Sequence, residues 1–532
     1  MKMKKEVKIF LTFFVFYSIF INWYGWNEQS HFVLTRAIAD ENRFEIDSFY
    51  NLTGDRSVFN NHYYSDKDPG LAIISQPIYN LWKVVFSFLP SDIKQANKFN
   101  PNAFYIDVSG KEKIYWYYEL GFFINYSMIL LTIFSSCLFS SLTTVLVYKI
   151  SSIFIGNERM KILLTLVYGL GTLQFIYSLH FMSHAVATFF SFLSFFIFFT
   201  HSDKRKIFLS GIFSGFAIVV DHSLLLLVSL FLLYCFFKKR EFFFILLFSS
   251  FLGILPLLIY NFVNFGDPLT LASTYVDRNI FTKAYELSGV SNTKIEVTKL
   301  SIVDIESVLK KLHFEFQPNA FIFLRLLIYP YRGFFFYHPI FLLIIPGMIF
   351  MRKKYKLETL FFLSLLIFFP TFVSMRRIWW GGYCFGERYF VPITPFLFIP
   401  VIYSTKRIDK KIFFILAIIS IFVNIVGLGF AEDYAYDWKS MDMKSDWFEK
   451  QNSLTVLYNP LFEHYIPQFL NYGPRSRILE EVINGYVFSI DIRLTKLPCG
   501  FKCNKPYRYI PFIPLIFFSI PIFFLRKELK IG

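Results

Sequence analysis

Long apolar runs broken by short clusters of lysine and arginine organise this chain of 532 residues. A helix needs about 20 apolar residues to cross a bilayer, fewer where its ends are shielded by protein. Runs of that kind fall at 7–24, 119–148, 161–179, 182–200, 207–220, 222–237, 242–262, 333–351, 357–375, 388–404, 412–430 and 508–525. The pattern predicts an all-α polytopic membrane protein with about 12 spans. Pro69 to Pro90 is also apolar, but counting it as a span inverts every charge cluster after it, so it is expected as an amphipathic helix on the outer surface.

Charge fixes the expected orientation. With the N-terminus inside, the segments Lys2–Lys8, Lys149–Lys161, Lys204–Lys206, Lys238–Arg240, Arg352–Lys356, Lys406–Lys411 and Arg526–Lys530 are all short, basic and cytoplasmic. Keeping the two clusters that flank 207–237 on one side requires a hairpin bent at Asp221-His222. The N-terminus has the look of a secretory signal, but no small-residue cleavage site follows and Trp23, Tyr24 and Trp26 form an interfacial belt, so a retained first helix is expected. Outside fall 25–118 and 263–332, both within a transmembrane region spanning 1–430, and an extracytoplasmic segment 431–507. Residues 508–532 supply the last helix and a basic inner tail.

Composition agrees with this reading and excludes others. The chain is 55% hydrophobic and only 17% charged, with a mean hydropathy of +0.47, too apolar for a soluble protein of this length. The net charge of +16 sits in the short loops as topology signals, which argues against a nucleic-acid partner. Cys499 and Cys503 are spaced for a local disulfide in an outer segment, and no second pair completes a zinc site.

Polar residues gather on the predicted outer face, where ionisable groups at span ends need partners or water. Glu28 opens a short helix after the first span. It is a candidate proton acceptor or an ordinary helix-start charge. Asp47, Asp66, Lys67 and Asp68 lie in the first loop. Lys67, ahead of Pro69-Gly70, has its direction constrained and suits a phosphate, or else snorkels at the interface. His180 and His184, spaced i and i+4, are candidates with Glu28 for a divalent metal, the one cofactor considered, or simple caps. Asp221 and His222 occupy the hairpin bend. Arg376, Arg377 and Arg388 break the inside-positive rule and suit an anion, or pair with Glu387. Trp379, Trp380 and the nearby Tyr383 make an aromatic belt or a sugar platform.

The Tyr64-Ser65-Asp66-Lys67-Asp68-Pro69-Gly70 loop after a juxtamembrane carboxylate, followed by many spans with long outer loops, resembles the GT-C superfamily of membrane glycosyltransferases. The likeness is to bacterial relatives of protein O-mannosyltransferases and of the lipid A aminoarabinose transferase, which carry an Asp-Lys-Pro-Pro version of the loop. His180 to Ala187, Tyr260-Asn261 with Phe265 to Leu269, Arg332 to Tyr337, and Trp379 to Gly382 with Phe385 to Tyr389 resemble an uncharacterised bacterial branch of that group. The likeness covers about 7–430.

The resemblance implies inverting transfer of a sugar from a polyprenyl-phosphate donor to a lipid, glycan or protein acceptor at the outer face of a bacterial cytoplasmic membrane. Glu28 or Asp47 would act as base, and Lys67 and Arg388, supported by Arg376 or Arg377, would hold the donor phosphate. Two departures stand out: Asn27-Glu28 where the family has Asp-Glu, and Asp68 where it often has proline. A transporter or flippase of lipid-linked saccharide is the alternative in another class, and a surface-polysaccharide polymerase or ligase the alternative enzyme. A scaffold with a lost site is the remaining reading of Asn27.

Overall fold

The computed structural model describes residues 4–22, 25–91, 104–105, 114–115, 122–277, 319–376, 379–381, 384–428, 459–474, 476, 478 and 515–529. These are overwhelmingly helical, with two small antiparallel hairpins as the described sheet. Each predicted apolar run is helical where it is described. Five helices are long and apolar enough to cross a membrane: Phe123–Phe154, Ser183–Thr200, Arg240–Phe265, Lys356–Ser374 and Lys410–Gly427. His222–Lys238, Pro339–Met351 and Arg388–Ser404 are apolar but shorter, so by length and composition the model supports five spans where the sequence pattern predicts about 12. Breaks in the runs account for part of the difference. Helix α1, Lys5–Ile19, stops short of its apolar run, and the run from 161 divides at Thr172, which adopts an extended backbone between Glu158–Gly171 and Leu173–Ser178.

The run over 207–237 divides as its charges require. Lys204–Val220 ends at Asp221, whose backbone is extended, and a 3-10 turn leads into Leu225–Lys238. Small residues let the first of these helices approach Phe243–Phe265. A Cβ on Gly215 would stand 2.0 Å from the Ser250 carbonyl, and Ser214 Oγ meets Ser250 Oγ at 2.7 Å. Across its other side, Ser194 and Ser210 each donate to the other's carbonyl at 2.7 Å.

One end of the bundle carries simple ion pairs. Lys5 and Lys161 share Glu158 at 3.1 and 2.9 Å, Lys8 binds Glu528 at 2.7 Å, and Lys238 binds Glu358 at 2.8 Å. Phe154 touches both Tyr355 and Tyr403 here, which ties these helix ends together.

The other end bears two helices and the strand hairpin between them. Helix α2, Trp26–Glu41, is buried along most of its length, so it is enclosed by protein. Strands β1, Arg56–Phe59, and β2, His62–Ser65, pair antiparallel with Arg56 opposite Ser65. Their connection is Asn60-Asn61, both at positive φ (49° and 65°), the conformation that asparagine tolerates in a two-residue hairpin turn. Ser57 donates to the Ala272 carbonyl at 2.7 Å, which joins the hairpin to the segment after Phe243–Phe265. Helix α3, Gly70–Ser87, is amphipathic as predicted: Leu71, Ala72, Ser75 and Tyr79 are buried, while Ile73, Leu81, Val84 and Val85 are exposed. It docks on α2 through Tyr79 and Lys83, which hold Asp40 at 2.9 and 2.5 Å.

Candidate active site

The turn that starts α3 sets the geometry of the loop before it. Pro69 fixes φ at −75°, and a Cβ on Gly70 would lie 2.6 Å from the Val219 carbonyl and from Val220. Glycine is therefore required for α3 to reach the end of Lys204–Val220. That contact carries the three residues before Pro69 to Asp221 and His222. Asp68 Oδ2 accepts from the backbone N–H of His222 at 2.8 Å and lies 2.7 Å from its Nδ1. Asp221 Oδ2 lies 2.8 Å from His184 Nδ1, and its Oδ1 accepts from Ser223 N at 3.1 Å and Ser223 Oγ at 2.6 Å.

Lys67 turns away from these pairs. Its ammonium donates to Asp55 at 2.8 Å and Asp66 at 2.9 Å. Burial alone would lower this amine, but the charges of Asp55 and Asp66 overcome it and hold it above the usual lysine range. Asp66 is raised above the usual carboxylate range, because its burial outweighs Lys67 and the hydrogen bond from Ser30.

Helix α2 contributes from its first two turns. Glu28 is fully buried. Its Oε2 caps Gly25 N–H at 3.1 Å and its Oε1 lies 2.8 Å from His180 Nδ1. One turn on, His31 is 1% exposed and its Nδ1 has no hydrogen-bond partner. Burial lowers its pKa well below the ordinary value, helped by Lys67, His184 and Arg388 and opposed by Asp221. Its neighbour Ser30 donates to Asp66 at 3.2 Å, so α2 brings His31 up to the Lys67 loop.

The segment at 384–388 arrives from the far end of the chain and is clamped. The buried Arg332 binds Cys384 O and lies 3.2 Å from Gly386 O, and Tyr177 donates to Phe385 O at 3.0 Å. Arg388 and Arg376 both address the Tyr389 ring, at 5.4 and 4.3 Å from its centroid, and this ring meets His184 edge-on at 6.2 Å. Arg388 Nε is buried without a partner, as is Glu387 Oε2. Burial pushes the Glu387 carboxyl up to about 8 against the pull of Arg332, Arg388 and Arg376.

The expected residues divide accordingly. One neighbourhood holds His184 bonded to Asp221, Asp68 bonded to His222 beside Asp221, Lys67 next to Asp68 and bonded to Asp66, and Arg388 by way of the Tyr389 ring that meets His184. Arg376 and Glu387 reach it through Tyr389 and Arg388. Glu28 and His180 adjoin it through Tyr177, whose ring lies 6.2 Å from His180 and 5.9 Å from His184. Asp47 stands apart: it is 40% exposed and holds His62 and Tyr63 N–H, each at 2.7 Å, at the hairpin. Trp379 is buried edge-on against Tyr331 and the half-buried Trp380. Arg377, Tyr383, Cys499 and Cys503 lie outside the described residues.

The expected metal set is not assembled, because Glu28 pairs with His180 while His184 pairs with Asp221. Among the described residues, Asp68, Asp221 and His222 bring ligand-type atoms within 4.8 Å of one another, and hydrogen bonds already engage all three. Sequence reasoning gave no role to His31, named Arg332 and Tyr389 only within segments that carry the family likeness, and left Asp55 among the first-loop carboxylates as metal-binding or solvated. The signal for His31 was its place one helical turn after Glu28.

No family model, curated protein or solved structure matches this chain.

Proposed function

We propose that the protein is a membrane glycosyltransferase that moves a sugar from a polyprenyl-phosphate donor to an acceptor hydroxyl, with inversion, at the extracytoplasmic face of a bacterial cytoplasmic membrane. The observation that carries this reading is the meeting of Lys67, Arg376 and Arg388 with three unpartnered buried polar atoms, His31 Nδ1, Glu387 Oε2 and Arg388 Nε. Buried polar atoms without partners are rare, and several in one place mark a site for a polar ligand. Three cations among them select an anion.

The chemistry follows from these groups. The acceptor oxygen attacks the anomeric carbon, the bond to the phosphate oxygen breaks, and negative charge grows on the departing polyprenyl phosphate. Arg388 offers a planar fork to that phosphate, and Lys67 a point charge. For Lys67 to turn to a phosphate, one aspartate must release it. Asp66 is the candidate to yield, since burial raises its pKa and makes proton uptake easier. The apolar outer face of α3, directly after Lys67, is suited to the polyprenyl tail. The crowding of charged groups at one end of the bundle also favours an enzyme over a transporter, whose polar groups sit near the membrane midplane.

A panel of radiolabelled polyprenyl-phosphate sugars, offered to the purified protein with lipid, glycan and protein acceptors, tests the reading. The wild type is expected to transfer label from at least one donor, and Lys67→Ala to lose that transfer. Equal transfer by the two proteins, or none by the wild type from any donor, overturns it.

A further inference from the structure

We propose that His31 is the general base of the transfer, its unpartnered imidazole nitrogen taking the proton of the acceptor hydroxyl. The inference rests on the glycosyltransferase reading and departs from it in one respect: the residue that the family pattern marks for this role, Glu28, is sealed. Neither Glu28 oxygen is free, since one caps Gly25 and the other is bound to His180. Asp47 is engaged at the exposed hairpin. His31, by contrast, is held by the packing of α2 and lies edge-on to Phe181, 6.3 Å between ring centroids, with Nδ1 unpartnered.

His31 sits beside the Lys67 loop, since the adjacent Ser30 donates to Asp66 at 3.2 Å, and beside the start of Ser183–Thr200 through Phe181; the charges of Lys67, Arg388 and Asp221 act on it there. Burial, helped by the charges of Lys67 and Arg388, lowers the pKa of the imidazole, so it is a weak base while the site holds no anion. A donor phosphate on Lys67 and Arg388 offsets that field and makes the imidazole a stronger base. Proton uptake is thereby tied to the presence of the donor, which protects the site from idle protonation.

In the step itself, the acceptor O–H proton goes to His31 as the oxygen forms its bond to the anomeric carbon. The electron pair of the broken bond stays on the phosphate oxygen. The imidazolium then returns its proton to the departing phosphate or to water. Atoms and charge balance without any further reactant.

The test uses the full chain in lipid nanodiscs with ring-labelled histidine, the His31 signal being assigned by its loss in His31→Gln. Undecaprenyl phosphate is the probe. His31 is expected to stay neutral through pH 6 without the probe and to titrate at least about one pH unit higher with it. In single-turnover transfer from an active donor of the panel, His31→Gln is expected to be slower by about 100-fold or more, with undecaprenyl phosphate affinity within about twofold. Probe binding with an unmoved His31 titration overturns the inference and leaves the glycosyltransferase reading standing. So does wild-type transfer by His31→Gln. If the wild type binds no undecaprenyl phosphate and transfers no sugar, both proposals fall together.

Discussion

The two ends of the helix bundle use charge in opposite ways. Helix Lys356–Ser374 places Glu358 at one end and Arg376 just past the other, and Lys204–Val220 runs from a lysine-arginine cluster to Asp221. At the first end every named acid meets a lysine in a closed pair, as with Lys5 and Glu158, or Lys238 and Glu358. At the second, His31 and Glu387 are buried and Lys67 and Arg388 half-buried, and three of the four keep a polar atom without a partner. The difference teaches that charge density alone does not mark a site. Closed pairs at the basic end stabilise the chain slightly, while incomplete bonding at the other end leaves capacity for a ligand.

Four substitutions separate the ends, in falling order of effect. Lys67→Ala is expected to reduce transfer by at least about 100-fold, measured as initial rate at saturating donor, and to lower the unfolding temperature by leaving Asp55 and Asp66 facing each other. Gly70→Ala adds a Cβ 2.6 Å from the Val219 carbonyl. It is expected to cost about 1–3 kcal/mol in denaturant unfolding, and to impair transfer by displacing the Lys67 loop.

Glu387→Gln sharpens the contrast through pH. The folded carboxyl titrates near 8, above its unfolded value, so between those values the folded state keeps a proton that the unfolded chain has released. Wild-type stability therefore falls as pH rises through that window. Glutamine removes this dependence, and the drop in unfolding temperature between pH 6 and pH 9 is expected to shrink by about 2–4 °C. Lys5→Ala, at the opposite end, breaks a pair whose side chains are 48% and 32% exposed. The expected change is under about 0.5 kcal/mol, with transfer unaltered.

Much of this arrangement was legible along the chain. Apolar runs located the helices, and the charge rule correctly divided 207–237 at Asp221 and set α3 apart as an amphipathic helix. Pro69-Gly70 marked the turn that brings Asp68 to His222. The span count was less legible, because the pattern does not show where an apolar run breaks into short helices, as at Thr172. Pairing was least legible of all. Whether Glu28 bonds His180 or His184, and whether Lys67 faces open space or two aspartates, depends on contacts between residues far apart in sequence. The burial of Arg332 under Cys384 and the position of His31 beside the Lys67 loop are of the same kind. Periodicity reports which face of one helix is apolar, and it carries no record of what that face meets.

On the proposed mechanism an anionic lipid phosphate is held at the Lys67 end and not at the basic end. Undecaprenyl phosphate binding to the full chain in nanodiscs, compared for wild type, Lys67→Ala and Lys238→Ala, tests it most directly. The account predicts affinity weakened by about tenfold or more in Lys67→Ala and held within about twofold of wild type in Lys238→Ala. Equal affinity in all three proteins, or a loss confined to Lys238→Ala, contradicts it.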